Sequence, residues 1–293
     1  MKIIDILKQT HPAFSFEFFP PKNDAGFETL YKTIEKLKPL NPAYVSVTYG
    51  AGGSSRAQTV ELVSRIKSEV GIESMAHLTC VGHSAEEIRD VLELLESKGV
   101  ENVLALRGDP PQGQTEFVKP TNGFEYANEL VGFIKKDFSF CIGVAGYPEV
   151  HPECADAETD TEHLKNKITQ GGEFIVTQLF FDNSYYFDYV KRLRSAGVTV
   201  PIIPGIMPIL NLKQIIRITE MCKTRIPDSL QAKLEKVQDD DEAVRQIGVE
   251  FATEQCADLL QGGAPGIHFY TLNRSNATLA IMEALMKQSQ GGP

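Results

Sequence analysis

Eight short runs of β-forming residues recur along this chain, and their spacing constrains the fold more than any other feature. Most of the runs lie roughly 30 residues apart, which is the length of one βα unit. We predict strands over residues 14–19, 44–49, 74–80, 102–106, 141–147, 174–181, 200–207 and 266–272. Several of these runs are apolar throughout, as expected for strands that are buried on both faces.

The segments between the predicted strands have the features of helices. Ser84 and Glu87 match a capping box, and apolar residues follow at positions 88, 91, 92 and 95 to form one helical stripe. Gly99 then ends this helix as a C-terminal cap, and Gly71 and Gly197 occupy equivalent positions after other helices.

Strands that alternate with helices in this way predict an α/β fold of the (β/α)8 TIM-barrel type. An open, doubly wound sheet is the alternative, but no GxGxxG motif follows the first strand. The longest gap lies between the seventh and eighth strands and leaves room for extra helices. Its acidic run at 239–242 is typical of a solvated helix start rather than of a metal site. We expect residues 1–293 to form a single domain.

Composition and charge exclude several classes of protein. A net charge of −10 argues against nucleic-acid binding, which requires a basic surface. The five cysteines are scattered and form no CxxC pair, so we expect reduced thiols in a cytoplasmic protein. The charged N-terminal segment 1–8 does not resemble a signal peptide, and no apolar run approaches the ~20 residues of a membrane span.

Glu17 is the one carboxylate in segment 14–21 (FSFEFFPP), which contains four phenylalanines. Because phenylalanine favours strands and burial disfavours an ionised carboxylate, we expect Glu17 to have a raised pKa that suits a general acid. Pro20 and Pro21 end the strand just beyond it. Glu17 would then lie at the rim where barrel enzymes keep their catalytic groups. The alternative is a core carboxylate paired with a lysine or arginine.

Each predicted strand ends in a polar residue or in a glycine or proline that stops the strand. In a barrel these strand ends meet at one rim. Besides Glu17 they comprise 48–50, 77–79, 107–111, 147–152, Gln178, Gly205 and 270–274. Each group alone has a structural explanation; Arg107 and Asp109, for instance, could form an ion pair. Their convergence favours a ligand site. The sequence has no nucleophile-elbow triad, no cysteine beside a base and no clustered metal ligands, so the remaining groups suit a large flat heterocycle.

A second polar group follows the fifth strand. His151 precedes segment 156–168, in which Asp160, His163, Asn166 and Lys167 recur at helical spacing. On a helix these side chains lie near one face, where they could hold a phosphate and a ribose together with His151. The alternative is an ordinary exposed helix face.

Taken together, these segments resemble the methylenetetrahydrofolate reductases, a family of flavoproteins in one-carbon metabolism. The matching motifs occur in family order and cover nearly the whole chain. They are FEFFPPK at 16–22, VSVTYG at 45–50, HLTC at 77–80, LRGD at 106–109, YPEVHPE at 147–153, TQLFFD at 177–182, PGIMP at 204–208 and HFYTLNR at 268–274. The resemblance is to the short bacterial form, which lacks the C-terminal regulatory domain of the eukaryotic enzymes.

The resemblance implies a barrel that holds FAD at its C-terminal rim. Reduced nicotinamide, NADH or NADPH, would give a hydride to the flavin and leave, and 5,10-methylenetetrahydrofolate would then take the hydride and become 5-methyltetrahydrofolate. By the same resemblance, Glu17 is the general acid that promotes opening of the imidazolidine ring. Asp109 would stabilise the cationic iminium and lower the flavin potential.

Further residues match ligand contacts of the family. The cofactor set is Thr48, Tyr49, Ala51, His77, Arg107, Gly108, Asp109, Tyr126, Ala127, Tyr147, His151, Asp160, His163, Asn166 and Lys167. The substrate set is Gln178, Gln214, Ile218, Tyr270 and Arg274, of which Arg274 suits the glutamyl tail of the folate.

The chain departs from the family pattern at a few positions. His163 and Asn166 stand where asparagine and arginine are expected, Ile218 replaces a phenylalanine of some relatives, and the loop at 112–123 is longer. Two alternative functions remain open: a folate- or flavin-binding subunit reduced only by a ferredoxin-linked partner, and a non-flavin barrel such as a corrinoid methyltransferase. The sequence is also compatible with assembly as a homo-oligomer.

Overall fold

The computed structural model describes residues 1–49, 54–109 and 117–290, which form helices and strands in regular alternation. The strands are β1 (Ala13–Phe18), β2 (Tyr44–Val47), β3 (Ser74–Thr79), β4 (Asn102–Leu106), β5 (Cys141–Gly146), β6 (Phe174–Thr177), β7 (Ile202–Ile203), β8 (Gly205–Ile206) and β9 (Gly266–Tyr270). The helices are α1 (Ile3–Gln9), α2 (Asp24–Leu37), α3 (Ser54–Arg65), α4 (Ala85–Ser97), α5 (Ala127–Asp137), α6 (Ala157–Thr169), α7 (Asn183–Ser195), α8 (Leu212–Cys222), α9 (Asp228–Glu235), α10 (Asp241–Gln261) and α11 (Asn276–Gln290).

The strands form one parallel sheet in the order β7-β6-β5-β4-β3-β2-β1-β9-β8. Because β7 and β8 are consecutive in the chain and separated only by Pro204, they are two halves of one barrel position. The first half pairs with β6 and the second with β9, so the sheet nearly closes on itself. The predicted (β/α)8 barrel is therefore confirmed, and the predicted strand 200–207 is present in two short pieces.

Pro204 and Gly205 explain why the seventh barrel strand is interrupted. Proline has no backbone N–H for the ladder, but its carbonyl oxygen accepts a hydrogen bond from His268 N at 2.9 Å. A Cβ on Gly205 would lie 2.3 Å from the carbonyl oxygen of Thr177, so only glycine allows the two backbones to approach this closely. The Gly205 N–H instead donates to Thr177 Oγ1 at 2.9 Å.

The helices pack their apolar stripes against the outside of the sheet. In α4 the capping box of Ser84 and Glu87 is present, and the predicted stripe at 88, 91, 92 and 95 is buried. Gly71, Gly99 and Gly197 all have positive φ, as expected for C-terminal caps. The main core therefore lies between the sheet and the surrounding helices.

The N-terminal helix α1 covers the amino-terminal end of the barrel. Its buried residues Ile3 and Leu7 share an apolar cluster with Tyr44, Phe174 and Ile203 from the strands. This cluster fills one end of the barrel interior, so the polar strand ends at the other rim are left for a ligand.

The extra helices predicted before the last strand are α8 and α9, which precede the long helix α10. They have their own apolar cluster, in which Leu212, Ile215, Leu230 and Leu234 are buried. Asp240 caps α10 by accepting hydrogen bonds from two backbone N–H groups, which confirms the acidic run as a helix start. Within the described ranges, no helix is both long and apolar enough to cross a lipid bilayer.

Candidate active site

Glu17, at the carboxyl end of β1, lies between two histidines inside the barrel rim. Its Oε2 is 3.4 Å from His77 Nε2 on β3 and 3.5 Å from His268 Nε2 on β9. Its side chain is only 17% exposed. The alternative of a carboxylate paired with lysine or arginine is wrong, because imidazoles are its partners among the described residues.

The two histidines reverse the pKa shift that we expected for Glu17. Burial raises the pKa of the carboxyl group, but the hydrogen bond with His268 and the electrostatic effect of His77 outweigh it, so the net shift is downward. The prediction of a raised pKa was therefore wrong. Burial also lowers the pKa of His77. In this arrangement Glu17 is ionised and His77 is neutral at pH 7, so Glu17 must receive a proton before it can act as an acid.

His268 and Ser15 are functional candidates that our sequence reasoning missed. Ser15 Oγ lies 2.8 Å from His268 Nδ1, and the His268 side chain is fully buried. With Nδ1 accepting the serine O–H, Nε2 carries the ring proton and can donate a hydrogen bond to Glu17. The alternation of side chains along a strand could have identified Ser15, because Ser15 and Glu17 are two residues apart and point to the same face. In the sheet these two residues pair in register with His268 and Tyr270.

The loop after β4 presents Arg107, Gly108 and Asp109 at the rim. Arg107 makes a two-pronged ion pair with Glu153, with both N–O distances at 2.5 Å. These hydrogen bonds raise the pKa of Arg107. The predicted pair between Arg107 and Asp109 is therefore replaced by one with Glu153, and the Asp109 side chain remains exposed. Asp109 is still close enough to interact electrostatically with Arg107 and Tyr147.

Tyr147, His151, Asp160 and Lys167 come together beside β5. The Tyr147 and His151 rings meet edge to face with centroids 4.5 Å apart. His151 interacts electrostatically with Arg107, Asp160 and Lys167. Burial lowers the pKa of Lys167 to about 8, although Asp160 opposes the shift. Its Nζ donates to the Ala145 carbonyl oxygen at 2.7 Å, so α6 places one cation and one carboxylate against the rim.

The remaining members of the predicted helix face differ in their exposure. His163 lies one turn from Asp160, and its Nδ1 is 3.5 Å from Cys154 Sγ, but the imidazole is exposed. Asn166 is also exposed and points away from the Asp160 side of α6. The face is therefore divided, with Asp160 and Lys167 inward and Asn166 outward.

Other predicted cofactor residues lie after β2 and at the start of α5. Thr48 and Tyr49 follow β2, and the Tyr49 hydroxyl is 3.3 Å from His83 Nε2. Tyr126 precedes α5 and Ala127 begins it, and the Tyr126 side chain is 51% exposed. Ala51 lies outside the described residues.

The predicted substrate residues lie on α8, on β9 and in the segments after β6 and β9. Gln178 follows β6 directly, and the Tyr270 hydroxyl donates to the Thr177 carbonyl oxygen at 2.6 Å. On α8, Gln214 and Ile218 are four residues apart, which places them on one helix face with Cys222. Cys222 interacts electrostatically with Asp109 and Tyr270, so this face of α8 adjoins the rim. Arg274 follows β9 and is exposed.

Glu149 lies at the same rim but outside the predicted set. Its carboxylate accepts a hydrogen bond from Arg225 N at 3.1 Å. Burial raises the pKa of Glu149 to about 7, and the hydrogen bond only partly opposes that shift. This contact ties the β5 loop to the segment between α8 and α9.

The described residues fit a dinucleotide flavin. A pyrophosphate needs cations, which Arg107 and Lys167 supply, and ribose hydroxyls need acceptors such as the Asp160 carboxylate. Gly108 has φ of +86°, and a Cβ there would lie 2.7 Å from Val81 Cγ1. The position therefore favours glycine, so no side chain covers the backbone at this point of the rim. His77 Nε2 is buried and has no hydrogen-bond partner among the described residues. No group of three potential metal-binding side chains occurs in the ranges that the structure describes.

Comparisons with known proteins identify relatives of this chain. Relatives named methylenetetrahydrofolate reductase (NADH) 1 occur in Arabidopsis thaliana and Zea mays, with 43% and 41% identity over 96% of this chain. The chain spans about half the length of these plant relatives, since 50% and 49% of their residues are matched. The 5,10-methylenetetrahydrofolate reductase of Escherichia coli is 39% identical, with 92% of this chain and 90% of the relative covered.

A solved structure and a family model complete these comparisons. The structure is a Clostridium thermocellum protein described as binding two copies of 5-methyl-5,6,7,8-tetrahydrofolic acid. It matches 98% of both chains with a TM-score of 0.62 and 16% identity, which supports the fold. The model of the methylenetetrahydrofolate reductase family matches residues 2–286. A match over almost the entire chain shows that this protein belongs to the methylenetetrahydrofolate reductase family.

Proposed function

We propose that this protein reduces 5,10-methylenetetrahydrofolate to 5-methyltetrahydrofolate in two half-reactions, with NADH or NADPH as the electron donor and FAD as the hydride carrier. The observation that carries the proposal is the carboxylate of Glu17 at a barrel rim, within 3.5 Å of two imidazoles. The names of the plant relatives specify NADH, which favours NADH as the donor.

Arg107, Lys167, Asp160 and Tyr147 would hold the cofactor at the rim. The guanidinium and ammonium groups neutralise the pyrophosphate, and Asp160 accepts hydrogen bonds from ribose hydroxyls. Arg107 would exchange part of its contact with Glu153 for the phosphate oxygens, which offer the same two-pronged geometry. FAD, when bound, supplies a carrier that accepts a hydride from nicotinamide and later gives it up.

Glu17 provides the proton that opens the substrate ring. The folate ring nitrogen needs a proton to become a leaving group, and a carboxylic acid at hydrogen-bond distance meets that need. Because the pKa of Glu17 is lowered, its carboxylate must take up a proton before this step. His268 Nε2–H can donate a hydrogen bond to Glu17, and Ser15 holds the imidazole in this orientation from the Nδ1 side. His268 is in this account a positioning residue for Glu17.

Asp109 and Gln178 would act on the charges and orientation of the reacting rings. Asp109 places a negative charge at the rim, which stabilises the cationic iminium formed after ring opening. Gln178 follows β6 and presents an amide that can hydrogen-bond either the pterin or the nicotinamide. One amide serving both ligands agrees with their successive use of the same space.

An anaerobic stopped-flow experiment tests the proposed function. The purified protein, loaded with FAD, is mixed with NADH and then with 5,10-methylenetetrahydrofolate while the flavin absorbance is followed. We expect rapid bleaching in the first mix and recovery of the absorbance in the second. A flavin that is reoxidised by the folate after chemical reduction but not bleached by NADH or NADPH would instead identify a subunit that depends on an electron-transfer partner. A reduced flavin that the folate does not reoxidise would refute the proposal.

A further inference from the structure

A tight turn at residues 271–274, here called the β9 turn, contacts the end of β1. Arg274 N donates to the Thr271 carbonyl oxygen at 2.9 Å, and the two residues between them have positive φ, 52° for Leu272 and 58° for Asn273. These features are typical of a type I′ turn. Asparagine tolerates this conformation, whereas leucine rarely adopts it. Strained residues of this kind cluster at functional sites, which directs attention to the contacts of the turn.

The Thr271 hydroxyl continues the attachment of β1 to β9 where the backbone pairing ends. The last pair in register is Glu17 with Tyr270. Beyond it, Thr271 Oγ1 donates to the Glu17 carbonyl oxygen at 2.6 Å, and Thr271 is only 3% exposed. The same Oγ1 accepts a hydrogen bond from Asn273 N at 3.2 Å. A buried hydroxyl therefore fixes the main chain of Glu17 from the β9 side.

Asn273 binds the backbone two residues beyond Glu17. Its Nδ2 donates to the Phe19 carbonyl oxygen at 2.8 Å, and its Oδ1 accepts from Phe19 N at 3.0 Å. The Asn273 carbonyl oxygen in turn accepts a hydrogen bond from Thr33 Oγ1 on α2 at 3.3 Å. Because Phe19 lies just outside β1, this side chain extends the attachment beyond the end of the strand.

The other edge of β1 is attached to β2. Glu17 lies in register with Ser46, and Thr48 N donates to the Phe18 carbonyl oxygen at 2.9 Å. Since the β9 turn holds the opposite edge, the backbone of residues 17–19 is held from both sides.

The Glu17 carboxylate depends on this support from the backbone. Its Oε2 lies 3.4 Å from His77 Nε2 and 3.5 Å from His268 Nε2, at the outer limit of hydrogen-bond distances. A general acid must come within about 2.6–3.2 Å of the atom that it protonates. Because the two imidazole contacts are long, the main chain from which the side chain extends has to be held by other groups, and the β9 turn provides them.

We propose that Thr271 and Asn273 are positioning residues for the reaction, which hold the Glu17 carboxylate in place through the backbone of residues 17–19. The inference rests on the proposed function, because it takes Glu17 as the acid that protonates the folate. Both residues act through Glu17, so their effects should appear in the folate half-reaction and should disappear when Glu17 is replaced.

Stopped-flow spectroscopy of the FAD-loaded protein tests this role. Photoreduced protein is mixed anaerobically with saturating 5,10-methylenetetrahydrofolate, and the limiting rate of flavin reoxidation is measured; saturation removes effects on folate binding. Reduction of the oxidised protein by NADH is the reference reaction. Misplacement of a reacting group by about 1 Å can cost on the order of 10²-fold in rate. We therefore expect Thr271→Val to slow reoxidation by about 10–100-fold and to leave flavin reduction at the parental rate.

Three further variants make the test specific. Asn273→Gly removes both contacts with Phe19 but tolerates positive φ, and it should also slow reoxidation selectively; it carries the test if Thr271→Val does not fold. Thr271→Ser keeps the hydroxyl and should retain most of the parental rate. Thr253→Val is the matched control, because buried Thr253 donates to the Val249 carbonyl oxygen within α10. It should leave both rates unchanged.

The Glu17→Gln background separates positioning from a general structural role. In that background Thr271→Val should have almost no further effect on reoxidation, because the group through which it acts is already absent. Equal slowing in both backgrounds would overturn the proposal, as would parental reoxidation rates in Thr271→Val and Asn273→Gly, and either result would leave the proposed function standing. A parent protein whose reduced flavin is not reoxidised by the folate would overturn the proposed function and the positioning role together.

Discussion

Gly108 connects the barrel core to the proposed cofactor site, and replacing it with alanine has a cost that follows from the structure. The residue has φ of +86°, and its new Cβ would lie 2.7 Å from Val81 Cγ1 and 3.0 Å from Thr79 Cβ. A left-handed conformation costs an L-residue about 1–2 kcal/mol. Overpacking adds about 1–3 kcal/mol. We expect Gly108→Ala to lower the free energy of unfolding by ~2–5 kcal/mol.

Gly71→Ala provides the matched control for this prediction. Gly71 has a similar φ of +79°, but nothing lies within 4 Å of a Cβ built there. Only the conformational cost applies, so the expected loss is about 1–2 kcal/mol. Urea unfolding followed by circular dichroism measures both variants and the parent. Equal losses for the two substitutions would refute the steric argument at Gly108.

Two further predictions concern carboxylates at the rim. Glu149→Gln keeps an acceptor for Arg225 N but removes the ionisation of a group whose pKa is raised to about 7. Ionising a carboxyl group whose pKa is raised in the folded protein destabilises the fold, so the parent becomes less stable as pH rises from the unfolded pKa of ~4.3 to about 7. The glutamine variant does not ionise, so its melting temperature minus that of the parent should increase from pH 4.5 to pH 7.5. A constant difference would contradict this account. Asp109→Asn removes a negative charge from the proposed flavin site, so it should raise the flavin reduction potential and slow the folate half-reaction. An unchanged potential in a spectroelectrochemical titration would argue against the electrostatic role of Asp109.

The barrel was predictable because its signals are local and repeated. The stripe on α4 and the glycines that end the helices agree with the structure residue by residue. The break at Pro204 was not predicted, since the apolar run 200–207 satisfies the strand pattern throughout. Its cause is non-local: Gly205 must approach the backbone of Thr177, a contact that no short window of sequence contains.

The candidate site was predicted less completely than the fold, for a related reason. The residues themselves were identified at strand ends, but their partners come from distant parts of the chain. Glu17 is 251 residues from His268, and Arg107 is 46 residues from Glu153. The predicted direction of the pKa shift of Glu17 was wrong for the same reason. The phenylalanine-rich segment indicates burial, which raises the pKa, but it does not reveal the distant histidines whose effects outweigh burial.

Glu17 is the centre of the proposed chemistry, and Glu17→Gln tests it most directly by anaerobic stopped-flow spectroscopy of both half-reactions. The neutral amide has nearly the same shape but cannot supply a proton, so flavin reduction by NADH should continue at the parental rate. Reoxidation by 5,10-methylenetetrahydrofolate should slow by about 10²–10⁴-fold, the usual contribution of a general acid. Glu149→Gln, the same substitution at the same rim, should leave both rates unchanged. Parental rates in both half-reactions of Glu17→Gln would contradict the assignment of Glu17 as the acid.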